Sequence, residues 1–129
     1  MTVLPEEHAR HVLVVEDDRS LCRLVEVILR REGWNVTCAP NGNAALDVLQ
    51  TDLPDVLLLD LMLPDTSGFE VLDWIERTNP SWLPHVIVFT AASNKVIALL
   101  EEKHRVGRIL RKPFELTELV NGIASSAVR

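Results

Sequence analysis

Six polar residues carry the chemistry available to this sequence. Glu16, Asp17 and Asp18 follow the apolar run His11 to Val15, and Asp60 follows the run Val56 to Leu59. Thr90 closes His85 to Thr90, and Lys112 follows Arg108 to Arg111. Short apolar runs of this kind read as strands covered on both faces, so each polar group stands at a strand's carboxyl end. In an open α/β sheet those ends share one edge, where ligands bind. Adjacent strands lie ~4.8 Å apart, so groups from neighbouring strands can form one site. Several carboxylates brought together resist ionising unless a cation sits among them. A hard divalent ion such as Mg²⁺ takes one or two carboxylates, keeps several waters and accepts phosphate oxygens. A carboxylate cluster with one lysine and one hydroxyl therefore reads as a phosphoryl-handling site. In such a site a carboxylate can attack phosphorus to give an acyl phosphate, with the metal and lysine neutralising the phosphoryl oxygens.

The elements that must position these groups repeat one theme. After the first strand, Leu21, Leu24, Val25, Ile28 and Leu29 fall at helical spacing, with Asp18 or Ser20 as N-cap and Gly33 as the stop. Asp18 is favoured as the cap over a place among the metal ligands. Trp34 to Ala39 is a second strand, Pro40-Asn41-Gly42 a turn, and Asn43 is expected to cap a helix carrying Ala44, Leu46, Val48 and Leu49. The central strand runs from Asp55 to Asp60, and Pro64, Asp65, Ser67 and Gly68 mark the loop after it. A helix from Gly68 to Arg77, with Phe69, Leu72 and Ile75 inward, ends at Asn79-Pro80. Strand His85 to Thr90, helix Asn94 to His104, strand Arg108 to Arg111 and a last helix with Leu116, Leu119, Val120 and Ile123 complete the chain. Five βα units in alternation specify an α/β fold, a single doubly wound five-stranded parallel sheet with right-handed crossovers.

Composition excludes several function classes. The 129 residues suit one domain, with 1–10 as a short lead and 11–129 as the folded unit. A net charge of −6 argues against direct nucleic-acid binding, which depends on neutralising phosphates. No apolar run approaches the ~20 residues that span a bilayer, and the first residues lack a secretory pattern; a cytoplasmic protein is expected. Cys22 and Cys38 form no metal motif and are expected to be reduced, partly buried thiols. His8, His11, His85 and His104 show no metal spacing, and Trp34, Trp74 and Trp82 read as packing residues. Neither a Gly-rich loop ending in Gly-Lys-Ser/Thr nor a Gly-x-Gly-x-x-Gly follows the first strand.

Four segments in order carry a family resemblance: Val14-Val15-Glu16-Asp17-Asp18, Asp60-Leu61-Met62-Leu63-Pro64 with Gly68, Thr90-Ala91, and Lys112-Pro113-Phe114. On them the chain resembles the response-regulator receiver domain, similar to the chemotaxis regulator, from His11 to about Ala127. A dehalogenase-like phosphatase would carry a second aspartate where Met62 stands. The resemblance implies a flavodoxin-like sheet with strand order 2-1-3-4-5. It implies Asp60 as the phosphoacceptor, charged from a phosphohistidine on a sensor histidine kinase or phosphotransfer protein. It implies Asp17 as a direct Mg²⁺ ligand, Glu16 as an acidic partner acting through water, and Met62 as the donor of a backbone carbonyl. Lys112 would pair with the acceptor and then with phosphoryl oxygens, and Thr90 would turn toward the phosphoryl group. The Lys112-Pro113 bond is expected to be cis. Such a protein is no enzyme in the ordinary sense, since it catalyses only its own phosphorylation and dephosphorylation.

The resemblance breaks at two places. Ile109 stands where the family usually has Tyr or Phe, so a ring rotation cannot report the switch. Arg105-Val106-Gly107 replaces the usual Gly-Ala before the fifth strand. The basic stretch Lys103, Arg105, Arg108 and Arg111 is either a solvated face or a partner surface. One of Val96, Ile97, Leu99 and Leu100 is expected to be exposed, as suits an interface. The output partner would be a downstream protein or a further domain, with a homodimer through helix 4, strand 5 and helix 5 possible. The alternative is a phosphorylation-independent interaction module on the same fold.

Overall fold

The computed structural model describes residues 10–128, so of the expected lead only Arg10 falls among the described residues. The elements alternate: β1 His11–Val15, α1 Arg19–Arg31, β2 Asn35–Ala39, α2 Gly42–Thr51, β3 Val56–Leu59, α3 Gly68–Thr78, β4 Val86–Thr90, α4 Asn94–Lys103, β5 Arg108–Arg111 and α5 Leu116–Ser126. All strand pairs are parallel, in the order β2-β1-β3-β4-β5. The doubly wound sheet expected from the alternation, with the order the resemblance implies, is the fold observed.

Alternation along each strand divides the core into two layers. Leu13, Val15, Leu57 and Leu59 point to the face covered by α2, α3 and α4, where Leu49, Leu72, Ile75 and Leu100 meet them. Val12, Val14 and Leu58 point to the opposite face, packed by Val25 and Leu29 of α1 and Leu119 and Ile123 of α5. β3 is fully enclosed, which is why its sequence is an unbroken aliphatic run. β5 closes one edge of the sheet, and Arg108 and Arg111 at its two ends are exposed.

Local rules place the helices, with some corrections. Asp18 is the N-cap of α1, accepting from the backbone N–H groups of Ser20 and Leu21. Gly33, at φ +93°, supplies the left-handed residue that turns the chain into β2. The inward seam of α1 is Cys22, Val25 and Leu29, and Leu24 is 50% exposed rather than buried. The small Cys22 lets α1 approach β2 closely. Asn41, not Asn43, caps α2, its Oδ1 accepting from Ala44 N–H at 2.8 Å. A 3₁₀ helix, Pro80–His85, fills the stretch before β4, with Trp82 and Leu83 buried, so β4 begins one residue later than expected. On α4, Ile97 and Leu100 are buried and Leu99 is exposed, as expected. Leu116 is exposed at the start of α5 instead of packing inward. The cysteines are also a correction: Cys22 and Cys38 are joined as a disulfide between α1 and β2, with Cα atoms 6.5 Å apart. Sequence spacing hid this pairing because the two residues meet only when α1 folds back over the sheet.

Candidate functional site

The backbone ladder continues one residue past three strands, and that extra residue is one of the site residues expected from the sequence each time. Glu16 N–H donates to Ala39 O at 3.1 Å, Asp60 N–H to Val15 O at 3.1 Å, and Lys112 N–H to Thr90 O at 2.9 Å. The side chains are thereby fixed at one edge of the sheet by main-chain bonds. Asp60 and Glu16 are buried, and Thr90 is fully enclosed. The Lys112-Pro113 bond is cis, as the resemblance implies.

Lys112 organises the centre. Its Nζ donates to Glu16 Oε1 at 2.5 Å and to Asp60 Oδ2 at 3.0 Å, and stands 4.8 Å from the centroid of the Phe89 ring. Burial by itself would lower the lysine's pKa. The hydrogen bonds and charges of Glu16 and Asp60 outweigh it and raise the group above its ordinary value, so Lys112 is a cation. Glu16 is pushed up, first by burial and also by the Asp60 charge. Lys112 and the Asp18 N–H, which reaches Glu16 Oε2 at 3.0 Å, offset part of that. The lysine thus holds together two buried carboxylates that would otherwise repel.

Each oxygen of Asp60 has a donor: Lys112 on Oδ2 and the Met62 N–H on Oδ1 at 3.0 Å. Both oxygens of Glu16 are similarly engaged, whereas Asp17 is exposed. One carboxylate oxygen from each of Glu16, Asp17 and Asp60 lies within 4.8 Å of the others. An all-oxygen set of this size, with one member open to water, fits a hard divalent cation. The Met62 side chain is 60% exposed, so only its main chain is held at the site. Thr90 Oγ1 accepts from Ala92 N–H at 3.1 Å, a bond within its own loop, leaving the hydroxyl hydrogen for another acceptor. The structure therefore brings together Glu16, Asp17, Asp60 and Lys112, with Thr90 on the neighbouring strand end. Ile109 is half-buried against the core below the α4 side of the sheet.

The loop after Asp60 is clamped at two points that sequence reasoning missed. Gly68 N–H donates to Leu61 O at 3.1 Å, and a Cβ on Gly68 would lie 2.6 Å from Asp60 O and from Leu61 Cα. Only glycine permits that approach. Asp65 reaches across to α2, where Oδ1 accepts from Gly42 N–H at 3.0 Å and Oδ2 from Asn43 N–H at 3.3 Å. Partial loss of water would raise this carboxyl. The N–H groups of Thr66, Gly42, Asn43 and Asp65 itself prevail and hold it below its ordinary 3.8. Farther off, the buried His104 lies between two α3 carboxylates, Nε2 2.9 Å from Asp73 Oδ1 and Nδ1 3.0 Å from Glu76 Oε1. Asp73 and Glu76 share a helix face, but nothing local in the sequence names His104 as their partner.

Comparison with known proteins agrees with this geometry. The family model described as the response regulator receiver domain matches residues 12–124. Among solved structures, the chain is similar to the signal receiver domain of a putative LuxO repressor protein from Vibrio parahaemolyticus. The two are 30% identical, with a TM-score of 0.79 over 92% of this chain and 89% of that one. The receiver domain of the Francisella response regulator 1452 is 27% identical, with a TM-score of 0.77 over 91% of this chain and 95% of that one. The response regulator TrrA from Thermotoga maritima, solved in complex with Mg²⁺ and BeF, is 26% identical, with a TM-score of 0.78 over 91% and 98%.

Proposed function

The chain belongs to the response regulator receiver domain family, and from that premise we propose that it accepts a phosphoryl group on Asp60 in a Mg²⁺-dependent reaction. The donor is a phosphohistidine on a sensor histidine kinase or phosphotransfer protein. The observation that carries this reading is the position of Lys112 Nζ, shared between Glu16 and Asp60 at the carboxyl edge of the sheet.

Glu16, Asp17, Asp60 and the main-chain carbonyl of Met62 would hold the metal. When bound it supplies positive charge to the phosphoryl oxygens, which is most of what such a transfer needs. An Asp60 carboxylate oxygen forms the new P–O bond as the P–N bond to the donor imidazole breaks, and the imidazole leaves with the electron pair. Lys112 holds the acceptor in place and stays beside the new phosphoryl oxygens as a fixed cation. Thr90 turns its free hydroxyl hydrogen toward the phosphoryl group, which carries up to about two negative charges, and draws in the loop before α4. The α4–β5–α5 face then reads the change and controls a partner protein or output domain. With Ile109 in place of a ring, that reading runs through repacking of an aliphatic side chain and the position of α4. Loss of the phosphoryl group to water, at the same residues, resets the switch.

The test is intact-mass spectrometry after adding acetyl phosphate, with and without Mg²⁺. One phosphoryl group should appear only with Mg²⁺, and Asp60→Asn should stay unmodified while retaining its fold. A protein that takes no phosphoryl group under any condition would instead be a phosphorylation-independent interaction module.

A further inference from the structure

The Cys22–Cys38 pair encloses the acidic loop in a ring that no part of the phosphoryl chemistry requires. Glu16 N–H is held by the carbonyl of Ala39, the residue after Cys38, and Cys22 N–H is held by the carbonyl of Asp18. The disulfide joins Cys22 to Cys38 directly. The segment Glu16–Asp18, which includes the open carboxylate Asp17, is therefore anchored at one end to Cys22 and at the other to Ala39, the neighbour of Cys38. The two cysteines differ in access, since Cys22 is buried on the inner face of α1 and Cys38 is an exposed residue near the end of edge strand β2. An open groove of about 670 Å³ adjoins the pair, lined by Arg19, Arg23 and Glu26 of α1, by Pro40 and by Glu16.

We propose that Cys22–Cys38 is a reversible thiol–disulfide site, reduced by a small thiol that attacks Cys38 Sγ from this groove, and that its state sets how well the Glu16–Asp18 loop performs. Exposed disulfides are the reducible ones. Attack on Cys38 forms a mixed disulfide and expels Cys22 as a thiolate. That thiolate forms at the fourth residue of α1, where the N-terminal end of the helix favours negative charge on a leaving sulfur. A second thiol attacks the sulfur of the bound reductant, releases Cys38 and leaves as the oxidised reductant dimer. Two electrons and two protons pass from two thiols to the pair, and an oxidised thiol reverses the reaction. Once opened, α1 is attached to β2 by packing and by the hydrogen bond from the Arg30 guanidinium to Val36 O at 3.1 Å. The effect on phosphorylation rests on the proposed function, whereas the thiol chemistry does not.

The experiment uses the full chain equilibrated across a series of reduced and oxidised glutathione mixtures. Alkylation and intact-mass spectrometry count free thiols at each step. Two thiols should appear together within the series. A pair that stays closed throughout, or that never closes, overturns the proposal. Amide hydrogen exchange over the first turns of α1 should be faster in the reduced protein and in Cys38→Ser than in the oxidised protein. Equal exchange overturns the proposed coupling. Mg²⁺-dependent labelling from acetyl phosphate should be slower by about fivefold or more in the reduced protein and in Cys38→Ser. Equal labelling of all three also overturns the coupling. If no form is labelled while the thiols titrate and α1 responds, the phosphoacceptor reading fails and the redox site stands.

Discussion

Lys112 Nζ sits 3.0 Å from Asp60 Oδ2, a contact across 52 residues of sequence made by the residues that immediately follow β5 and β3. Lys112 is the cation that lets Asp60 and Glu16 lie buried together. Replacing it leaves two carboxylates facing each other with little water. Lys112→Ala should lower stability by about 1–3 kcal/mol in the absence of divalent metal. Urea unfolding with and without Mg²⁺ checks this, and Mg²⁺ should recover part of the loss. Metal binding should survive while the response of α4 and β5 to phosphorylation is mostly lost.

Asp65 gives a pH dependence with a definite sign. Its folded carboxyl titrates below the ordinary 3.8, because backbone N–H groups of its own loop and of α2 favour the ionised form. The stability it contributes is fully present above that ordinary value and is lost as pH falls through the lower folded value. Asp65→Ala should therefore be less stable than the parent near neutral pH. The gap in urea midpoint should narrow below pH 3.8 and vanish at still lower pH.

His104 ties the end of α4 to α3. Each ring nitrogen lies within hydrogen-bond distance of a carboxylate oxygen. His104→Ala should cost about 1–3 kcal/mol in unfolding free energy. Amide exchange should rise over the last turn of α4, while Asp73 and Glu76, both partly exposed, rehydrate without gross unfolding.

Gly68 faces backbone on the site side. Because the atoms a methyl group would meet are Asp60 O and Leu61 Cα, nothing flexible can yield. Gly68→Ala should destabilise by about 1–3 kcal/mol and slow labelling of Asp60, since the acceptor's own backbone must shift. Thermal unfolding and the labelling rate measured on one preparation distinguish this from simple loss of folded protein.

The parts of the fold written in local pattern were legible. The enclosed strand β3 is an aliphatic run, and the residue that ends each run is the one that the extended ladder holds at the sheet edge. Asp18 as a cap, the cis bond before Pro113 and the exposure of one apolar residue among Val96, Ile97, Leu99 and Leu100 follow from residue type, spacing or the motif containing them. What escaped depends on which face an element turns toward a distant partner. Leu24 fits the helical spacing as well as Cys22 does, yet the close approach of α1 to β2 selects the smaller side chain. Asn41 and Asn43 are chemically equal caps, and the fold separates them: Asn41 Oδ1 accepts from Ala44 N–H, whereas Asn43 Oδ1 accepts from the Thr66 hydroxyl of the loop after β3. Cys22 with Cys38, and His104 with Asp73 and Glu76, are pairings of tertiary structure with no periodic trace.

The exposed arginines at the two ends of β5 limit how this sheet can grow. A second copy adding its own β5 by two-fold edge pairing would run antiparallel, setting Arg108 of one chain against Arg111 of the other at both ends of a four-residue strand. Like charges placed directly opposite oppose pairing, and charged edge residues are a common guard against strand addition. Two molecules meeting on this side must therefore associate through helix side chains, with their sheets kept separate.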